Sequence, residues 1–239
     1  MTWRWLICSS LLAWIAAAPC AAAAASVTGQ VELTNSQDPA VHKHKDYSGV
    51  VIWLEPLDHS AAIPTGIHAR MEQLNKHFVP HVVAIPTGGS VDFPNLDPIY
   101  HSAFSNFAGQ PFDLGLYQPK TSKSVSFRRP GIVRVFCSIH STMSAVIAVV
   151  PTPFYMVTLE SGKFAINNVP PGDYQLRLYH ERAVPDNLKF LEQRITVPDS
   201  GLALPLISIS ETGYVPEPHL NKYGKPYAPD GGTYKGGGQ

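Results

Sequence analysis

The sequence has 239 residues with 18 basic and 18 acidic side chains, so its formal net charge at neutral pH is zero. This balance gives no support for a nucleic-acid partner or for attachment to an anionic membrane surface. Hydrophobic residues make up 44% of the chain and charged residues 15%, a composition typical of globular proteins rather than disordered ones.

The first 25 residues are typical of a secretory leader. Arg4 precedes an apolar stretch from Leu6 to Ala18, and a run of alanines ends at Ala25. The apolar stretch is shorter than the roughly 20 residues that span a bilayer. We therefore expect a signal peptide over residues 1–25, a mature chain without a transmembrane segment, and a periplasmic or extracellular location.

Removal of the leader leaves one cysteine. Cys8 and Cys20 belong to the leader, so the mature chain keeps only Cys137 and cannot form an internal disulfide. Lipidation of Cys20 would be an alternative, but Pro19 stands where a small, flexible residue is expected. A lone thiol in an oxidising compartment usually has a function or is buried, which directs attention to Cys137.

Short segments of alternating, β-branched or aromatic residues recur along the chain, separated by Pro, Gly, Asn and Asp. This pattern predicts an all-β fold of the sandwich type. The predicted strands are 27–33, 50–54, 68–73, 78–85, 90–93, 100–104, 112–117, 123–128, 132–137, 144–150, 154–159, 163–167, 174–179, 191–197 and 202–209. We expect a polar loop over 34–48 and a flexible tail over 210–239, which is rich in Gly, Pro and Tyr.

Four potential metal ligands occur in one part of the chain. Cys137, His140 and Met143 lie on a single loop between two predicted strands, and His101 precedes them. Thiolate and thioether suit Cu(I), imidazole suits both copper oxidation states, and a His₂Cys site with a weak axial Met is a blue-copper arrangement. Zinc favours a closed tetrahedron of Cys and His, to which Met contributes little. The sequence predicts one mononuclear type 1 copper ion.

The spacing Cys-x₂-His-x₂-Met, with the earlier His101, resembles the cupredoxins, and the short ligand loop is similar to that of amicyanin. The segment from Phe78 to His101 resembles the lead-in of a plastocyanin-type domain. Together with Val169-Pro-Pro-Gly-Asp-Tyr174, these segments resemble plastocyanin-like proteins associated with methylamine utilisation. The resemblance implies a Greek-key sandwich and a one-electron carrier between protein redox partners of the cytochrome or dehydrogenase type.

One position departs from the family pattern. Many cupredoxins have Asn directly after the first His ligand, where it bridges to the Cys loop, whereas this chain has Ser102. The shorter hydroxyl puts the rigidity of the loop, and with it the redox tuning, in question. We expect Ser102 and Asn95 to surround the ligands.

The same segment argues against an enzyme. Multicopper oxidases and nitrite reductases have His on both sides of the Cys, but Cys137 is flanked by Phe136 and Ser138. A centre whose positions are all taken by protein ligands leaves no place for substrate. A Cys–His hydrolase would need a third, orienting group. The alternative that stays open is a non-redox binding or scaffold protein with copper structural, stored or absent.

A second β module frames this segment. Two kinds of segment resemble a carboxypeptidase-regulatory-like sandwich. Its opening strands are matched by Val27–Val31 and Gly49–Leu54, and its closing strands by Gly162–Leu176. We expect a cupredoxin domain over 62–151 inserted into a discontinuous sandwich of 26–58 plus 152–209. The simpler alternative is a continuous cupredoxin from residue 26 followed by a separate domain.

The ligand loop also predicts a docking surface for redox partners. His140 lies in the middle of the loop, where the chain turns outward and its ring edge would reach solvent. Ile139, Phe104 and Phe107 could form a small uncharged patch around it. Weak electron-transfer encounters use small interfaces of this kind.

Overall fold

The computed structural model describes residues 25–58, 60–107, 109–216 and 218–227. The predicted leader up to residue 24 and the end of the predicted tail, 228–239, lie outside these ranges. Ala25, counted in the leader, begins the first strand and pairs with Val169. Within the described ranges, no helix is long and apolar enough to span a bilayer.

The described residues form an all-β structure of short strands with two short helices, which confirms the predicted fold class. The strands are β1 (Ala25–Thr34), β2 (Val51–Pro56), β3 (His68–Arg70), β4 (Glu72–Leu74), β5 (His77–Val79), β6 (Val82–Pro86), β7 (Ser90–Pro94), β8 (His101–Ser105), β9 (Phe112–Tyr117), β10 (Ser122–Ser126), β11 (Gly131–Phe136), β12 (Ser144–Val150), β13 (Tyr155–Val157), β14 (Lys163–Val169), β15 (Gly172–Tyr179), β16 (Gln193–Val197), β17 (Leu202–Ala203) and β18 (Ile207–Ser210). The helices are α1 (Pro39–His44) and α2 (Pro185–Lys189).

Strands from both ends of the described chain make up one sandwich, here called the terminal sandwich. One of its sheets has the order β14-β1-β17, with β18 also paired to β1, and the other has the order β13-β2-β15-β16. Alternate residues of β15 face inward, so Tyr174, Leu176 and Leu178 are buried together with Val31 and Ile52.

Strands β3 to β12 make up the central sandwich. A five-stranded sheet of order β6-β12-β11-β8-β9 faces a three-stranded sheet of order β10-β7-β3, and β4 pairs with β5 in a separate ribbon. Its core is aromatic and β-branched, with Phe93, Phe127, Val135 and Ile147 all fully buried.

The two sandwiches pack against each other. Val51 of the terminal sandwich is buried with Val82 and Val146 of the central one. Beside this apolar contact, Nε2 of His81 lies 2.8 Å from a carboxylate oxygen of Glu181. The buried residues of this junction come from β2, β6 and β12.

Prolines divide two of the predicted strands. The expected strand 78–85 is two strands, β5 and β6, with Pro80 between them, and the expected strand 202–209 is divided at Pro205. Proline has no N–H to donate to a ladder, so pairing stops there.

The expected loop 34–48 contains helix α1, which the sequence analysis missed. Asp38 Oδ1 accepts a hydrogen bond of 2.8 Å from the Ala40 N–H, Pro39 begins the helix and Val41 is buried. A helix of six residues is too short to show helical periodicity.

Part of the predicted tail has defined contacts. Strand β18 ends at Ser210, so the predicted boundary falls on its last residue. The residues that follow, up to 216 and from 218 to 227, form neither helix nor strand. They nevertheless bond back to both sandwiches, for example through Glu211 to His180 and through Lys222 to Asp113.

Candidate metal centre

Strand pairing brings the first and the later ligand candidates together. Strands β8 and β11 are antiparallel, with Phe104 opposite Phe136. The start of β8 therefore lies at the same end of the sheet as the end of β11. His101 is the first residue of β8 and Cys137 follows β11 directly, so residues that are distant in sequence become neighbours.

Three ligand atoms form a compact triangle. The Nδ1 atoms of His101 and His140 are 3.1 Å apart, and Cys137 Sγ lies 3.9 Å from the first and 3.6 Å from the second. A circle through the three atoms has a radius of about 2.1 Å, which is within the roughly 2.0–2.3 Å of metal–nitrogen and metal–thiolate bonds. His101 and Cys137 are fully buried and His140 is half-buried. The donor set therefore fits one metal ion.

Cys137 is set up as a thiolate. Burial would raise the pKa of its thiol, but hydrogen bonds from His101, His140 and the backbone of Ile139 and Ser102 outweigh burial and lower the pKa to about 5. The thiolate, not the thiol, binds metals. At neutral pH the centre thus presents an anionic sulfur between two imidazoles.

The far side of the His101 ring is held by Asp97, a residue that the sequence analysis did not assign to the site. His101 Nε2 lies 2.7 Å from Asp97 Oδ2, and both side chains are buried. Burial disfavours the charged imidazole, but Cys137 and Asp97 together raise the pKa of His101. Since Nε2 is occupied by the carboxylate, Nδ1, which faces Cys137 and His140, is the nitrogen that a metal ion would use once the ring is neutral. Carboxylate–histidine pairs of this kind orient metal-binding imidazoles.

Asp97 is itself fixed by its loop. Its two carboxylate oxygens accept backbone hydrogen bonds from Asn75 (2.6 Å) and Lys76 (2.8 Å). Burial raises the pKa of Asp97, but these bonds and the contact with His101 outweigh it and lower the pKa. Asn95 contributes indirectly: its Oδ1 accepts from the Asp97 N–H, and its Nδ2 donates to the Ile99 carbonyl at 2.8 Å. Asn95 therefore shapes the loop before His101 rather than touching the ligands.

Ser102 links the two ligand segments. Its Oγ accepts a hydrogen bond of 2.8 Å from the Ser138 N–H and lies 2.9 Å from Ser138 Oγ. The same hydroxyl lies 3.7 Å from Cys137 Sγ. The serine thus ties β8 to the Cys loop in place of the expected asparagine.

Met143 closes the loop. The Cys137 N–H donates to the Met143 carbonyl at 3.1 Å, and the Met143 N–H donates to the His140 carbonyl at 3.2 Å. The Met143 side chain is fully buried in the core cluster that contains Cys137. Two backbone bonds therefore fix the spacing of all three loop residues.

The expected docking patch is only partly at the surface. His140 and Ile139 are half-buried. Phe107 is 39% exposed, but it packs near Gly131 at the start of β11, whereas Cys137 and His140 follow the end of that strand, so its assignment to a patch around His140 was wrong. Phe104 is 1% exposed, so its assignment to an exposed patch was wrong. Its ring packs beside that of Phe136, with centroids 5.9 Å apart, in a strand whose residues are all buried. Alternation cannot reveal a strand that is covered on both faces.

No protein-family model matches the chain, and no curated protein matches it. Among solved structures it is similar to a copper-containing nitrite reductase from Thermus scotoductus SA-01, at 22% identity and a TM-score of 0.33. That match covers 50% of this chain and only 28% of the reductase.

Two smaller proteins are matched over most of their own length. A purple cupredoxin from Nitrosopumilus maritimus is 19% identical with a TM-score of 0.31, over 34% of this chain and 98% of that one. Amicyanin from Paracoccus versutus is 16% identical with a TM-score of 0.33, over 40% of this chain and 90% of that one.

Proposed function

We propose that this protein is a one-electron carrier with a single type 1 copper ion bound by His101, Cys137, His140 and Met143. The observation that carries the proposal is the triangle of one thiolate sulfur and two imidazole nitrogens, all about 2.1 Å from a common point. The bound copper would supply the redox chemistry by alternating between Cu(II) and Cu(I).

The protein's own residues then have defined roles. Cys137 contributes the anionic sulfur, and Asp97 keeps the Nε2 proton on His101 so that Nδ1 is free to bind. Ser102 and the backbone bonds between Cys137 and Met143 hold the loop in one geometry, so little rearrangement accompanies a change in oxidation state. Met143 is proposed as the weak axial ligand, because a thioether suits copper and its side chain is buried beside Cys137.

We also propose that the chain is exported and exchanges electrons with protein partners. Half-buried His140 is the ligand nearest to solvent, and half-buried Ile139, its neighbour in the chain, adds an uncharged side chain to this surface. Charge placed there by Ile139→Lys would slow electron exchange while leaving the copper spectrum unchanged. A partner that exchanges at the wild-type rate with this variant would contradict the docking surface.

The domain organisation is part of the proposal. We propose a cupredoxin domain over 62–151 inserted into a carboxypeptidase-regulatory-like sandwich of 26–58 plus 152–209. Its support is that β2 pairs with β13 and β15, and β1 with β14, β17 and β18, so strands from both sides of the central sandwich share sheets.

A copper titration tests the function. Cu(II) added to the purified mature chain should give an intense visible thiolate-to-copper band that saturates at one equivalent and bleaches on reduction with ascorbate. Met143→Leu should keep the colour, because a weak axial donor is not required for the thiolate band. Binding without this band, or no binding, would contradict the electron carrier and favour a binding or scaffold protein.

A further inference from the structure

Residues 218–227, here called the strap, form an ordered turn although their composition suggested a flexible tail. The turn is built around Asn221, whose Oδ1 accepts hydrogen bonds from the N–H groups of Tyr223 (2.9 Å) and Lys225 (3.2 Å). The Asn221 carbonyl accepts a further bond of 2.9 Å from Gly224, which has a φ of +70° that glycine adopts without strain. These bonds fix the directions in which the neighbouring side chains leave the turn.

The two ends of the strap meet beside the end of β11, next to Cys137. The His219 ring stacks on Phe136, with centroids 4.1 Å apart and planes at 26°. The Tyr227 phenol donates a hydrogen bond of 2.7 Å to the carbonyl of Cys137. The phenol oxygen also lies 3.1 Å from His219 Nδ1, which can donate to it because the phenol proton is already used.

The middle of the strap is attached to a different strand. Lys222 Nζ lies 2.8 Å from Asp113 Oδ2 on β9, and the Lys222 side chain is only 19% exposed. Burial opposes ionisation of Asp113, but Lys222 and a backbone N–H outweigh it and lower the pKa of that carboxyl. In the sheet order β11-β8-β9, this attachment lies on the other side of the strand that begins with His101.

The two attachments share one row of the sheet. Phe136 is opposite Phe104, and Phe104 is opposite Asp113. Val135 and Cys137 face the core, so Phe136 and its neighbour Phe104 lie on the outer face of this sheet. A strap that reaches from Phe136 to Asp113 therefore crosses Phe104, which accounts for the burial of this phenylalanine.

We infer that the strap is a functional part of the metal centre: Tyr227 is a positioning residue for Cys137, and the strap closes the outer face of β8 and β11. Reagents and redox partners are thereby restricted to the His140 side of the centre. The consequence for copper rests on the proposed function, whereas the closure itself concerns the metal-free protein.

Alkylation of the Cys137 thiol by iodoacetamide, in the metal-free full-length mature chain, measures the closure. Tyr227→Phe removes one hydrogen bond and should raise the rate about fivefold, and Lys222→Gln, which is remote from the thiol, about twofold or more. Lys225→Gln is the matched control, because Lys225 belongs to the strap but its side chain is exposed, and its rate should stay at the wild-type value. Wild-type rates in both test variants, or an increase in Tyr227→Phe alone, would overturn the closure.

The copper-loaded protein tests the positioning role. In Tyr227→Phe the thiolate-to-copper band and the copper EPR spectrum should shift, while Lys225→Gln keeps both unchanged. An unshifted Tyr227→Phe spectrum would overturn positioning. If the wild-type chain gives no such band, the proposed function fails, but the alkylation rates still decide whether the strap closes the site.

Discussion

Each sandwich contains a buried histidine bonded to a carboxylate, and the two pairs differ in what lies beyond them. In the central sandwich His101 Nε2 is 2.7 Å from Asp97, and Nδ1 faces Cys137 and His140. In the terminal sandwich His180 Nε2 is 2.9 Å from Glu211, whose carboxylate also accepts hydrogen bonds from Arg182 and Ser36. The comparison shows that a buried His–carboxylate pair is not by itself a metal site.

Charge explains the difference. Burial alone would raise the pKa of Glu211, but His180, Ser36 and Arg182 outweigh it and lower that pKa. The Arg182 guanidinium is the cation of this cluster, because it bonds to Glu211 and also lies 3.1 Å from Asp38. At the other site one thiolate sulfur and two imidazole nitrogens converge, a donor set that suits an external metal cation. The cluster around Glu211 should govern stability, and the cluster around Cys137 should govern metal binding.

The largest effect is expected from Cys137→Ser. The hydroxyl of serine stays protonated at neutral pH, so the site loses its anionic sulfur. Copper affinity should fall by at least about a hundredfold and the visible band should disappear. Isothermal titration and absorption spectra measure both. A variant that keeps the band would show that the colour comes from other residues.

A change in the terminal cluster should have the opposite pattern. Glu211→Ala leaves Arg182 and His180 without their shared carboxylate and should lower the free energy of unfolding by about 3 kcal/mol. The copper spectrum should not change. Urea unfolding of the metal-free protein measures the loss. The control Glu72→Ala removes a largely exposed ion pair with Arg70 and should lower the free energy of unfolding by less than about 1 kcal/mol. A lost copper band would contradict the separation of the two clusters.

Asp97→Asn sharpens the comparison within the metal centre. An asparagine would turn an N–H₂ group toward one of the donors that Asp97 now accepts from, namely His101, Asn75 or Lys76. Copper affinity should fall about tenfold. The reduction potential should rise, because loss of a nearby negative charge favours Cu(I). Asp92→Asn on β7 is a matched control, and an equal change in that variant would argue against the role of Asp97.

The smallest effect concerns the junction and pH. The hydrogen bond that His81 donates to the Glu181 carboxylate raises the pKa of His81 above its ordinary 6.5. Burial opposes ionisation of Glu181, but His81, with the nearby Arg182 and His180, lowers its pKa below 4.5. The pair therefore stabilises the fold most between pH 4.5 and 6.5. Stability is lost as pH rises through the raised pKa of His81 and as pH falls through the lowered pKa of Glu181.

The His81 side chain is 45% exposed, so the contribution is about 0.5 kcal/mol. His81→Gln should lower the free energy of unfolding of the metal-free protein by this amount near pH 5.5 and by less at pH 8. Urea titrations at the two pH values measure the difference. A constant difference at both values would show that the pair does not titrate as its contacts indicate.

The sequence by itself determined the all-β class and the grouping of the three proposed loop ligands. Strand alternation is a local signal, and Cys137, His140 and Met143 are so near in the chain that one turn keeps them together. The division of strands at Pro80 and Pro205 could also have been read from the sequence, because the missing N–H is a property of the residue. Helix α1 could not be read from the sequence in this way, because six residues are too few to show helical periodicity.

Only the tertiary structure decided the remaining parts of the site. Asp97 reaches His101 because Asn95 and the β4–β5 ribbon hold its loop, and nothing in the spacing distinguishes this carboxylate from any other. Tyr227 meets the Cys137 carbonyl across 90 residues of chain. Such contacts depend on which strands become neighbours, and that is determined by burial of two whole cores rather than by any local pattern.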